Sequence, residues 1–212
     1  MSFQIRISPD GLHAAAERQN SIAKMVNDVY ERLGSLSSEL NAAWDGGASR
    51  QALGAIAELR DTTEALAEGI GVGARKLNNI AQAFENLDEG DSLTFTAIVF
   101  DPGIMARCGG GMPSIKAFLL NFSGTMRIVP DAVRHVAEAL MKLSSLVEDA
   151  GAQLNANMKV LSDEWEGKAY LKYAEETKEL LKGIKKLNAA IEELAGRIRA
   201  AAIRYEEIDN MY

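Results

Sequence analysis

Leu40-Asn41-Ala42-Ala43-Trp44-Asp45-Gly46 returns later in the chain as Leu161-Ser162-Asp163-Glu164-Trp165-Glu166-Gly167, an offset of 121 positions (165 − 44). In both places a long helical pattern stops at the tryptophan and another starts after the glycine. The same offset relates Arg6-Ile7-x-Pro9-Asp10 to Arg127-Ile128-x-Pro130-Asp131. It relates Leu33 to Leu154, Leu59 to Leu180, Leu66 to Leu187 and Asp88 to Asp209, and it sets Phe84 against Tyr205. One ungapped offset covers roughly residues 5–90 and 126–211. Only about a fifth of these positions are identical, but they fall at the punctuation and along one apolar face. The chain is an internal duplication.

Each copy reads as a helical hairpin. Pro9-Asp10 and Pro130-Asp131 follow a short β-favouring stretch and open a helix, because proline suits the first helical turn. Apolar residues then alternate at spacings of three and four. The first helix carries Ile22, Val26, Val29, Leu33, Leu36 and Leu40, and the third carries Val133 through Leu161, with Asn157 in the same register. After each Trp-X-Gly the pattern resumes, through Ile56, Leu59, Leu66 and Ile70 to Phe84 and Leu87, and through Leu180, Ile184 and Leu187 to Tyr205 and Ile208. Such a stripe keeps one helix face against a partner. Helices of about 30–40 residues are about 45–60 Å long at 1.5 Å per residue. One hairpin alone leaves part of its stripe wet, and two packed together do not. The expected fold is therefore all-α: two tandem helical hairpins packed as an antiparallel four-helix bundle, a covalent pseudo-dimer. Trp44, Gly46, Trp165 and Gly167 are its bend residues. The expected domains are a first hairpin at 1–90, an apolar linker at 91–125 and a second hairpin at 126–212.

Two segments break the pattern. Gly69, Gly71 and Gly73 fall within the second helix, and each glycine costs about 0.8–1 kcal/mol relative to alanine. A weak or kinked turn is expected there, with a close helix contact as the alternative. No glycine cluster stands at the matching place of copy two, so the halves are not equivalent. In the linker, Thr94-Phe95-Thr96-Ala97-Ile98-Val99-Phe100 is strand-like, Gly109-Gly110-Gly111-Met112-Pro113 is a break, and Ser114 to Phe122 suits a short apolar helix. A solvated tether would be polar, so this linker is expected to pack on the bundle. The glycine triplet lacks the Lys-Ser/Thr of a phosphate loop.

Composition narrows the chemistry. A net charge of -7 and a pI near 5.0 argue against nucleic acid and anionic lipid as electrostatic partners, which reward clustered Lys and Arg. Cys108 is the single cysteine and forms no internal disulfide. His13 and His135 are read as solvated or partner-facing residues near helix starts. There is no metal-ligand spacing, no Cys/His pair and no nucleophile-elbow serine, and Glu175-Glu176 and Glu192-Glu193 lie on polar faces. No catalytic, cofactor or metal residue is expected. Met1 to Ile7 is too short and polar for a secretory signal, and no run of about 18 apolar residues spans a membrane. By these rules the protein stays in the cytoplasm, an expectation that the following resemblance revises.

A hairpin of about 90 residues with Trp-X-Gly at its bend resembles the small Trp-X-Gly proteins of type VII secretion, the ESAT-like family. Gln4-Ile5-Arg6-Ile7-Ser8-Pro9-Asp10 is similar to the start of such proteins in Gram-positive bacteria outside the mycobacteria. The resemblance covers both repeats and leaves the linker without a counterpart. It implies antiparallel hairpin dimers, made in the bacterial cytoplasm and secreted without a cleaved signal. Recognition in the family rests partly on Tyr-x-x-x-Asp/Glu near the end of the second helix. Here Tyr205-x-x-x-Asp209 matches that motif, and Phe84-x-x-x-Asp88 is a degenerate counterpart without the hydroxyl. Residues four apart share a helix face. In the family arrangement Trp165 would approach Phe84 and Asp88, and Trp44 would approach Tyr205 and Asp209, the complete signal. The partners implied are the membrane ATPase of the secretion system and a larger co-secreted effector. Two other functions fit the same fold: an intracellular helical scaffold or adaptor, and a membrane-active protein working through its linker.

Overall fold

The computed structural model describes residues 7–88, 107, 127–209 and 211. It holds four α-helices among those residues: α1 (Pro9–Ala43), α2 (Gly47–Asp88), α3 (Pro130–Glu164) and α4 (Lys168–Asp209). Their lengths repeat as 35, 42, 35 and 42 residues, so every boundary of copy two sits at the offset the sequence shows. α1 starts where Ser8 caps it: the Ser8 Oγ accepts from the Gly11 amide at 3.1 Å, with Pro9 at the first helical position. Copy two has Val129 at that place and no side-chain cap.

The chain forms two compact units, and each mixes both copies. One, the Trp165 unit, gathers α1 through Val26, α2 from Ala65, α3 from Asp149 and α4 through Ile184. The other, the Trp44 unit, gathers α1 from Asn27, α2 through Glu64, α3 through Glu148 and α4 from Lys185. Within each unit, segments of all four helices pack around one core, the antiparallel four-helix bundle expected from the repeat. Leu12, Ile22, Leu66, Ile70, Leu161 and Leu180 lie in the first core. Leu33, Leu40, Ile56, Leu59, Leu140 and Leu194 lie in the second. Withdrawing each such side chain from water contributes about 1.5–3 kcal/mol. The three-four stripe is buried along most of its length, Asn157 included. It surfaces at its ends, where Phe84 and Tyr205 are half-buried and Ile208 is 38% exposed.

Asn157 satisfies its buried amide by donating to the Ala15 carbonyl at 2.9 Å and accepting from Arg18 Nε at 2.8 Å. No break interrupts α2 at the glycine cluster, where the helix continues from Gly47 to Asp88. The alternative holds at Gly73, where a Cβ would stand 2.2 Å from the Gln19 amide nitrogen. The strand and short helix expected in the linker lie outside the described residues. Arg107 of the linker is described, and its guanidinium pairs with Glu68 of α2 at 2.6 Å.

Candidate functional site: the two hairpin bends

Each bend is built by the same backbone logic. Trp44 and Trp165 continue the preceding helix, their amides donating to Leu40 and Leu161. Gly46 and Gly167 then take φ of 120° and 132°, a region closed to residues with a Cβ. The glycine carbonyls start the next helix by accepting from Arg50 and Leu171. Asp45 Oδ1 accepts from the Gly46 amide at 2.7 Å, and Ser49 Oγ donates to the Trp44 carbonyl at 2.7 Å.

The last carbonyls of a helix need donors from outside it. Here the lead-in of the other copy supplies them. The Val129 amide donates to the Ala43 carbonyl at 2.8 Å, and the Ser8 amide donates to the Glu164 carbonyl at 3.0 Å. The Asp45 amide donates in turn to the Arg127 carbonyl at 2.8 Å. Antiparallel bridges follow, Ile128 with Trp44 in one unit and Ile7 with Trp165 in the other. The repeated Arg-Ile-x-Pro-Asp is thus a lead-in that locks onto the partner copy's bend.

The two tryptophans are equally buried, at 1% exposure, but differently dressed. Trp165 has tyrosines of the following helix, α4, around it. Its ring lies edge-on to Tyr170 and tilted to Tyr173, each at 5.8 Å between centroids. At the counterpart positions in copy one stand Ser49 and Ala52, which leave the Trp44 ring to a residue of copy two. That residue is Tyr205, 6.4 Å away and T-shaped at 77°, a favourable aromatic geometry. Burial raises the Tyr205 phenol above its ordinary pKa, and the neighbouring Trp44 side chain works against that rise. Asp209, one turn on, is exposed. Phe84 lies in the Trp165 unit on α2, half-buried, and the side chain of Asp88 is outside the described residues.

Apolar and acidic side chains are exposed towards the end of α4. Ile203, Ile208 and Met211 are exposed at the end of α4, and Val129 is 43% exposed before α3. The counterparts of Val129 and Ile203 are Ser8 and Gln82, both polar. Arg134 of α3 pairs with Glu206 of α4 and with Asp131. The counterpart pair in the Trp165 unit is His13 with Glu85, at 3.2 Å, and His13 Nδ1 lies 2.9 Å from Asn78 Oδ1. His13 is thus half-exposed and held by the second helix of its own hairpin. The Asn78 hydrogen bond raises its pKa above 6.5, burial opposes, and the charge of Glu85 adds to the rise. Neither pair was singled out in the sequence, although the shared offset of His13/Arg134 and Glu85/Glu206 was there to read.

Among the described residues no group of His, Cys, Asp and Glu is placed to hold a metal ion. No described helix is long and apolar enough to cross a membrane. A family model described as proteins of 100 residues with WXG matches the chain twice, over residues 4–89 and 125–210. Neither the curated proteins nor the solved structures give a match.

Proposed function

The chain belongs to the WXG100 family, with two copies fused in one chain, and on that premise we propose that it is a non-enzymatic substrate or partner of type VII secretion, exported as a folded helical bundle. The family is associated with type VII secretion, and its members are small helical secreted proteins rather than enzymes. The observation that carries the finer reading is the contact of Trp44 with Tyr205. It sets the bend of one copy beside the Tyr-x-x-x-Asp of the other, with Asp209 exposed one turn beyond and further apolar side chains exposed towards the end of α4. A receptor can read the exposed carboxylate and the half-buried ring together from one helix face. The Trp165 end lacks this set, since copy one has Phe84 in place of the phenol. In this reading the Trp44 end is the one presented to the membrane ATPase of the secretion system, and a larger effector is the cargo that travels with it.

The test is export from the native host, read as the ratio of protein in medium to protein in lysate. Asp209→Ala, an exposed change expected to shift stability by less than about 0.5 kcal/mol, should stay inside the cell. Tyr205→Ala should also be retained, and Phe84→Ala should leave like the wild type. Thermal melts of each purified variant separate lost recognition from lost folding. Export of both folded Tyr205→Ala and folded Asp209→Ala at the wild-type level would remove this end as the signal.

A further inference from the structure

Gln19 of α1 is fully buried in the Trp165 unit. Its Nε2 donates to the Ile70 carbonyl of α2 at 3.1 Å, and its Oε1 accepts from the Tyr173 hydroxyl of α4 at 2.6 Å. Gly73 makes the room. A Cβ there would stand 2.2 Å from Gln19 Nε2 and 3.2 Å from the Tyr173 hydroxyl. Burial raises the Tyr173 phenol far above its ordinary pKa, so it stays a donor. The three residues come from both copies: Gln19 and Gly73 from the first, Tyr173 from the second. Their counterparts at the repeat offset are Leu140, Leu194 and Ala52, all fully buried in the Trp44 unit. Polar has become apolar, and large and small have changed places: Leu for Gly, Ala for Tyr.

We infer that this exchange makes the pairing of the two copies heterotypic: each copy is built to accept the other and to reject a second copy of itself. Two first copies, packed in the same antiparallel way, would bring Gln19 and Gly73 to Ala52. The buried amide would lose its phenol, and a void would replace the ring. Two second copies would bring Tyr173 to Leu140 and Leu194. Even a Cβ at the glycine position comes within 3.2 Å of the hydroxyl, so an isobutyl group there competes with the ring for space, and the hydroxyl loses the Gln19 acceptor. The mixed pair alone satisfies both units. Selecting a partner by what the wrong partner leaves unpaired or overfilled is a general route to specificity. The inference does not depend on the export reading, because it concerns how the halves choose each other inside or outside the cell.

The full chain, with a protease site inserted between the copies, is cleaved, unfolded in urea and refolded, and native mass spectrometry counts the pairs. Wild type is expected to return mixed pairs almost exclusively, rather than the one-to-two-to-one distribution of indifferent halves. The triple variant Gln19→Leu, Gly73→Leu, Tyr173→Ala writes the Trp44 unit's residues into the Trp165 unit. The reverse triple Ala52→Tyr, Leu140→Gln, Leu194→Gly does the opposite. Each makes all pairings equivalent at these positions and should move the distribution toward the indifferent ratio. Circular dichroism of the uncut variants establishes which are folded, and one folded triple is enough to decide. A wild type that refolds to the indifferent ratio overturns the inference, as does a folded triple that stays as exclusive as the wild type.

Discussion

Gly167 holds φ at 132° with nothing within 4 Å of where a Cβ would sit. The demand for glycine there is one of backbone conformation and not of space. Gly54, inside α2, has equally open surroundings but an ordinary helical backbone. The two glycines should therefore respond oppositely to the same substitution. Gly167→Ala is expected to cost about 1–3 kcal/mol. Gly54→Ala is expected to gain about 0.4–1 kcal/mol by restricting the unfolded chain. Urea denaturation of both variants checks the pair of signs. His13 makes a second residue-scale prediction. Its pKa is raised in the folded protein by Asn78 and Glu85, so its contribution to stability is complete below about pH 6.5, the unfolded value, and is lost as pH rises through the folded value. An NMR titration should place the imidazole above 6.5, and Glu85→Gln should lower it. His13→Arg, the residue its counterpart position already carries, should remove the pH dependence in that window.

At the scale of elements, the lead-ins before α1 and α3 are the least expected feature. Ser8, Asp45 and Val129 lie outside the helices, yet their amides donate to carbonyls of the other copy. Amide hydrogen exchange should find all three protected well beyond ordinary loop residues, and exchange at free-peptide rates would refute the pairing. The helices themselves were legible because apolar spacing is written along the chain, and Pro9, Trp44, Gly46 and their counterparts mark the ends. The approach of Trp44 to Tyr205 was expected from the antiparallel arrangement that the family resemblance implies. The lead-in pairing was not legible, since backbone donors carry no side-chain signal and their acceptors lie more than a hundred residues away. The same distance hid the Gln19–Tyr173 contact, and with it the reason α2 keeps Gly73. The specific partners of His13 were not legible, because Glu85 comes from the far end of the other helix in its own hairpin.

At the scale of the molecule, duplication has been followed by divergence of the two units. Both bends share one backbone design, but copy two surrounds its tryptophan with Tyr170 and Tyr173, and copy one leaves Trp44 to Tyr205. The Trp165 unit carries the buried polar contact, and the Trp44 unit carries the half-buried tyrosine, the exposed carboxylate and the exposed Ile203, Ile208 and Met211. On the proposed readings, one unit holds the copies in the right combination, and the other is presented for recognition. The measurement that tests export most directly compares the protein's partition between culture medium and lysate in the native host, with and without the membrane ATPase of its type VII system, under conditions in which cells stay intact. The account predicts accumulation in the medium that disappears with the ATPase. Retention inside intact cells in both strains would contradict it and leave an intracellular helical scaffold in its place.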